Sequence, residues 1–106
     1  MEKVHLAYWS EDALHDVAEV VKWIRERDAS AAERFLDCLW ADVEMIERFP
    51  LSGAVVELTG VPPGLRSLPI RRYRKYLLFY SVTDTRIKIL RLLLGSRDLE
   101  SLWKRD

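Results

Sequence analysis

Two apolar runs, Tyr76 to Val82 and Ile87 to Leu94, flank a short Thr83-Asp84-Thr85 turn, and no other feature restricts the fold as much. Both are rich in Leu, Ile, Tyr and Phe and are about the length of an ordinary strand, so a β-hairpin accounts for them better than a helix. They belong to a longer arginine-studded stretch, Leu65 to Asp98, that reads as a basic three-stranded meander. Alternation places Tyr76, Leu78, Tyr80 and Val82 on one face, with Leu77, Phe79 and Ser81 on the other. In the second run Ile87, Ile89, Arg91 and Leu93 oppose Lys88, Leu90, Leu92 and Leu94. One face is expected to take helices. The other is expected to be a partly open, concave apolar surface ringed by Arg66, Arg71, Arg72, Arg74, Arg91 and Arg97, and such surfaces usually have partners.

Upstream, Val4, Leu6 and Tyr8 alternate with His5, Ala7 and Trp9 as a short first strand joining the same sheet. Ser10 is a good N-cap, with Glu11 and Asp12 at the positive end of the helix dipole and Trp9 and Leu14 placed as a hydrophobic staple. Ala13, Val17, Val20 and Ile24, widened by Leu14, Val21 and Trp23, carry an amphipathic helix to about Arg27. Ser30-Ala31-Ala32-Glu33 reads as a capping box. It opens a second helix on Phe35, Leu36, Leu39, Val43 and Ile46, running to Phe49 and stopped by Pro50. A connection of two or three residues makes the pair an antiparallel hairpin, with Trp23 and Trp40 as bulky contacts. The stretch from Pro50 to Gly64 is turn-rich, and Val55, Val56 and Leu58 either pin it to the core or form a short edge strand. Beyond Gly95, Asp98 to Lys104 is expected to make one or two helical turns anchored by Trp103.

The 106 residues suffice for one domain, residues 1–106, with one core, and the fold class is α+β. The formal net charge of zero conceals a split. Residues 1–64 carry 6 Lys and Arg against 13 Asp and Glu, whereas residues 65–106 carry 11 against 4. The second half therefore either faces an anionic partner, nucleic acid or an acidic peptide, or is neutralised by the first half within the fold. Cys38 is the only cysteine, which excludes an internal disulfide, and its setting in an apolar helical pattern marks a buried small hydrophobe. No apolar run approaches the ~20 residues of a membrane span, and no leader-like segment is seen, so a cytoplasmic location is expected.

No spacing for a dinucleotide site, a phosphate-binding loop, paired zinc ligands or a nucleophile elbow is present, so no cofactor and no metal are expected. His15, beside Asp16, reads as a solvated surface residue, as do Glu11, Asp12, Asp16 and Glu19 together. The arginines are the stronger signal, because guanidinium groups pair bidentately with phosphates or carboxylates and stay charged. Arg91 stands out, since a charge in so apolar a strand needs a partner or a cavity.

One series of residues runs nearly the length of the chain. It comprises Ala13 with Asp16-Val17 and Trp23-Ile24, then Ala32, Phe35 and Leu39, then Phe49-Pro50 with Gly53. It continues through Gly64-Leu65-Arg66, Tyr73, Phe79-Tyr80 and Ile89-Leu90-Arg91 to Gly95 with Arg97-Asp98. In order and spacing the series resembles the ParE/RelE superfamily of bacterial type II toxins. The resemblance implies a first strand, an antiparallel helical hairpin, an antiparallel three-stranded meander in one sheet, and a short C-terminal helix.

That superfamily has an mRNA-cleaving branch acting in the ribosomal A site and a ParE branch inhibiting DNA gyrase. Where RNA-cleaving members carry basic residues this chain has Leu68, Ile70 and Leu77; Leu94 replaces a histidine, and Trp103 stands where a tyrosine acid/base would be. An indole has no proton to exchange near neutral pH, and leucines cannot stabilise a phosphorane. The resemblance therefore implies a ParE-like toxin with no catalytic residue. Its cognate antitoxin, ParD-like with an acidic amphipathic C-terminal region, would meet Arg66, Tyr80, Arg91 and Arg97. Gyrase would meet Trp103, Lys104 and Arg105, and nucleic acid would be reached only through the antitoxin. Two alternatives stand beside this: a RelE-like ribosome-dependent mRNA endonuclease contacting RNA through Arg71, Arg72, Arg74 and Arg97, and a non-toxic antitoxin-binding module of the same fold.

Overall fold

The computed structural model describes residues 5–83 and 86–95. Strand β1 (Leu6–Trp9) leads into helices α1 (Glu11–Arg27) and α2 (Ala29–Arg48), followed by strands β2 (Ala54–Val55), β3 (Leu65–Ile70), β4 (Tyr73–Val82) and β5 (Arg86–Leu94). The strands form one sheet in the order β1-β5-β4-β3-β2. The antiparallel β3–β4–β5 meander is present, but it is only part of the sheet. β2 adds to the β3 edge as a fifth strand, and β1 runs parallel to β5, so the sheet is mixed. The expected C-terminal helix, Asp98 to Lys104, lies outside the described residues.

Ser10 begins α1 as expected, and it also ties the helix to the sheet. Its Oγ accepts from Ala13 N at 3.0 Å and donates to Leu90 O at 2.9 Å, while its own N–H donates to Ile89 O. The start of α2 differs from expectation. Its N-cap is Asp28, whose Oδ1 accepts from the N–H groups of Ser30 and Ala31 and from the Ser30 hydroxyl, whereas Ser30 lies within the first turn. A carboxylate is the stronger acceptor for the free N–H groups of a helix start. Asp28 also closes α1 through its N–H to Ile24 O, so one residue forms the whole joint.

The Ser30 hydroxyl, then the Ala31 N–H, hold the Asp28 carboxyl below its ordinary value of 3.8. A depressed carboxylate stabilises the fold above its ordinary pKa, and that contribution is lost as pH falls through the lowered value. The denaturation midpoint is accordingly expected to drop in acid below about pH 4, and to drop less steeply in Asp28→Asn, which caps without titrating. Equal acid slopes in the two proteins would remove the carboxylate from this role.

Both helices lie on one face of the sheet. Phe35, Leu39 and Ile46 of α2 and Ala13 and Ile24 of α1 pack against Ile70, Leu78, Tyr80, Ile87, Ile89 and Leu92. Phe35 meets Tyr73 and Tyr76 edge-on, with centroids 5.2 and 5.5 Å away, the geometry that aromatic quadrupoles favour. The tryptophans expected between the helices are instead half exposed. Trp40 stands edge-on to Trp9, centroids 5.6 Å apart, and Trp23 carries the Arg27 guanidinium over its ring. Cys38 is half-buried rather than buried.

A bulge changes which β5 residues face the helices. Tyr80 pairs with Ile89 but Phe79 pairs with Arg91, so one extra β5 residue, Leu90, is accommodated. Beyond it the alternation is inverted. Leu92 joins Ile87 and Ile89 against the helices, and Leu93 moves to the opposite face with Leu65 and Phe79. That opposite face is not an open concavity ringed by arginine, because Val56 and Val61 of the β2–β3 connection pack on it with Leu77 and Leu90. The connection is thus both edge strand and cover. The outer edge of β1 is closed as well, since His5 N donates to Glu47 O and Ala7 N to Glu47 Oε2 at 2.8 Å.

Candidate functional site

The structure distributes the arginines singled out by sequence instead of gathering them. Arg91 finds its partner in α1. Its Nε and Nη2 donate to the two Asp16 carboxylate oxygens at 2.7 and 3.0 Å, and Leu92 N donates to the same carboxylate at 3.0 Å. The Asp16 hydrogen bonds raise the Arg91 pKa further, against the opposing effect of burial. With side chains only 16% and 11% exposed, this is an internal stitch between helix and sheet, and Asp16 does not belong to a solvated face.

Arg66 and Tyr80 are brought together, facing each other across β3 and β4, and they hold the same loop. The Tyr80 hydroxyl donates to Pro50 O and accepts from Gly53 N, both at 2.8 Å, while Arg66 Nη1 donates to Gly53 O at 2.8 Å and to Leu51 O at 3.2 Å. Tyr80 is fully buried and presents no surface to a partner. Arg71 and Arg72 form the β3–β4 turn, with Arg74 exposed just beyond. Asp42, buried in α2, accepts from Arg71 N at 2.8 Å and lies 3.4 Å from its guanidinium. Arg72 occupies the left-handed region at φ 70°, which a residue with a side chain seldom adopts. Arg97, Trp103, Lys104 and Arg105 lie outside the described residues.

Two apolar grooves emerge where no residue pattern marked them. The first, about 370 Å³, runs along the outer side of the helical hairpin. Leu14, Val17 and Val21 of α1 line it, the Trp9–Trp40 pair is at its wall, and Lys22 and Arg25 bring positive charge. Trp9 and Leu14, expected as a staple, both face this groove, and Leu14 is 55% exposed. The second, about 660 Å³, lies between α1 and the open end of the β4–β5 hairpin. Val20, Trp23, Tyr76 and Leu92 to Leu94 line it, with Asp16 and Glu19 on the helix side and Lys75 on the sheet side. Burial pushes the Tyr76 phenol up, opposed by the nearby Arg27 charge. Leu94, noted as replacing a histidine, is part of this lining.

An available signal would have located Asp16 and Asp42. Asp16 falls between Ala13, Val17 and Val20 at helical spacing, and Asp42 between Leu39 and Ile46, so each carboxylate sits on an apolar stripe and needs a partner. Among the described residues, no group of three or more His, Cys, Asp and Glu could hold a metal ion, and no helix is long and apolar enough to cross a membrane.

Residues 7–99 match a protein-family model described as the ParE toxin of type II toxin–antitoxin systems, parDE. Among solved structures, a chain of the chromosomal ParDE TA system from P. aeruginosa is similar, with a TM-score of 0.70. It is 19% identical, and the match covers 89% of this chain and 98% of that one, a likeness of fold. No curated protein sequence matches.

Proposed function

The chain belongs to the ParE toxin family of type II toxin–antitoxin systems, and from that premise we propose that it inhibits DNA gyrase by binding, without catalysis, and is neutralised by an antitoxin seated on the helical hairpin. The observation that carries the antitoxin half is the first groove. Its apolar floor and aromatic wall suit one face of an amphipathic helix, and Lys22 and Arg25 complement acidic residues beside that face. Of the arginines expected to meet an acidic tail, Arg66 and Arg91 already hold partners within the chain, which gives Lys22 and Arg25 the larger part; Arg97 remains as a further contact.

Packing supports the non-catalytic half. Ile70 and Leu68 pack into the helix-side core and Leu77 onto the far-face cluster, so the positions that RNA-cleaving relatives fill with basic residues serve here to hold the sheet together. For gyrase, the tail residues Trp103, Lys104 and Arg105 are the contact, an aromatic anchor beside two cations. The test is to induce the chain in bacteria lacking the antitoxin and to pulse-label DNA and protein synthesis over the first minutes. DNA synthesis is expected to fail first, and co-expressed antitoxin to rescue the wild-type chain but not Leu14→Glu, which puts a carboxylate in the groove. Protein synthesis stopping first would overturn the gyrase reading in favour of the mRNA endonuclease, with Arg71, Arg72 and Arg74 as its RNA contacts. Full rescue of Leu14→Glu would move the antitoxin off the hairpin.

A further inference from the structure

The wall of the first groove is built from two separate elements. Trp9 comes from β1 and Trp40 from α2, and their rings meet edge-on with centroids 5.6 Å apart, so the wall exists only while β1 lies against α2. β1 is four residues long and runs parallel to β5, from Leu6 at Arg86 to Trp9 at Ile89. A short parallel edge strand is weakly held by its own ladder. Ser10 fixes the far end of β1 to β5 through Ile89 O and Leu90 O. Glu47 fixes the strand to α2: its Oε2 accepts from Ala7 N at 2.8 Å, and its carbonyl accepts from His5 N at 3.0 Å. Glu47 follows Trp40 by seven residues, two helical turns, so both side chains leave the same face of α2 about 10 Å apart. β1 passes that face in the opposite direction, Ala7 beside Glu47 and Trp9 beside Trp40.

We propose that Glu47 is the positioning residue of this groove: it does not line the groove, but it holds β1 at the distance from α2 that sets the Trp9–Trp40 wall. The inference rests on the reading of the groove as the antitoxin's seat, and it adds the device that keeps the seat formed before the antitoxin arrives. Glu47 lies in the last turn of α2, which ends at Arg48. That turn is the negative end of the helix dipole, where a carboxylate is disfavoured. The bond to Ala7 N accounts for an acid in that place. Without it, Ala7 N has to find water, β1 keeps only the His5 bond and its ladder, and Trp9 leaves Trp40 in a share of the molecules. A wall already in place spares the partner the ordering of two large side chains. A groove competent in about one molecule in ten binds about tenfold more weakly than one that is always formed.

Two readouts on the intact chain test this, calorimetric titration with the full-length cognate ParD-like antitoxin and NMR of the tryptophan rings. Glu47→Ala is expected to lose the NOEs between Trp9 and Trp40 and to bind about tenfold more weakly, under conditions where circular dichroism reports a fully folded chain. Glu47→Gln keeps an acceptor oxygen for Ala7 N and should restore both the ring contact and the affinity. Glu47→Asp withdraws the carboxylate by one methylene and should fall between them, which keeps the test open if Glu47→Ala does not fold. Ring NOEs retained in Glu47→Ala would overturn the positioning role, and so would a Glu47→Gln variant as impaired as Glu47→Ala. Leu14→Glu separates this inference from the reading beneath it. If Leu14→Glu loses binding and Glu47→Ala does not, the groove is the antitoxin's seat but Glu47 does not shape it. If both bind like the wild-type chain, the antitoxin sits elsewhere and the seat itself is overturned.

Discussion

Asp16→Ala is expected to destabilise the fold by about 3 kcal/mol, because it leaves a mostly buried guanidinium with no counter-charge and an edge N–H with no acceptor. Three donors converge on this one carboxylate, Arg91 Nε and Nη2 and Leu92 N, all within 3.0 Å. A solvent-exposed ion pair would contribute roughly 0–1 kcal/mol, but with side chains 16% and 11% exposed little water can replace the lost partner. The effect is large against the roughly 5–15 kcal/mol that holds a domain of this kind folded. Replacing both partners by apolar residues, Asp16→Leu with Arg91→Met, is expected to recover much of the loss, since the orphaned charge disappears with its partner. Urea denaturation of the wild-type chain, Asp16→Leu, Arg91→Met and the double variant closes a double-mutant cycle that separates these contributions. A single-mutant loss near zero, or simple additivity, would show that the pair is not an internal stitch.

The same pair shows what could be read from residues alone. Arg91 stood out because a charge in an apolar strand needs a partner, and it has one. Asp16 reads with Glu11, Asp12 and Glu19 as part of a solvated face, although its spacing from Ala13 and Val20 places it on the apolar stripe. Local chemistry was legible: Ser10 begins a helix, the Thr83 turn closes a hairpin, and alternation finds β4 and the first half of β5. What depends on distant register was not. No pattern within Leu6–Trp9 specifies that it lies parallel to a strand some eighty residues later, and no pattern within β5 places the bulge that turns Leu92 to the helices and Leu93 away. The second groove follows from those choices, because it lies where α1 meets the end of β5 past the end of β1. Arg66 and Tyr80, expected with Arg91 and Arg97 to meet the antitoxin, hold the chain's own loop at Pro50 to Gly53.

That loop gives the second large effect: Gly53→Ala is expected to destabilise the fold by about 2–4 kcal/mol through overpacking and lost hydrogen bonds. A Cβ at Gly53 would sit 2.6 Å from the Tyr80 hydroxyl oxygen, 2.9 Å from Tyr80 Cε1 and 2.9 Å from the Ser67 carbonyl. Neither neighbour can readily yield. The Tyr80 ring is fully buried in the helix-side core, and the Ser67 carbonyl is the backbone of a strand paired on both sides. The loop itself must therefore lift, breaking the bonds from Gly53 N to Tyr80, from Tyr80 to Pro50 O and from Arg66 to Gly53 O. Tyr80→Phe alone removes the hydroxyl and leaves a buried N–H and a carbonyl unpaired, a loss of about 1–3 kcal/mol. Combined with Gly53→Ala it also removes the 2.6 Å conflict, so the double variant should lose less than the two single losses together. Because the loop leads directly into β2 and the connection carrying Val56 and Val61, opening it uncovers Leu65, Phe79 and Leu93 on the far face. Gly53→Ala should then bind more of a hydrophobic dye than the wild-type chain does, under conditions where circular dichroism still reports both helices. Strict additivity in the denaturation cycle would reject a shared clasp, and unchanged dye binding would show that the far face is held closed by something other than this loop.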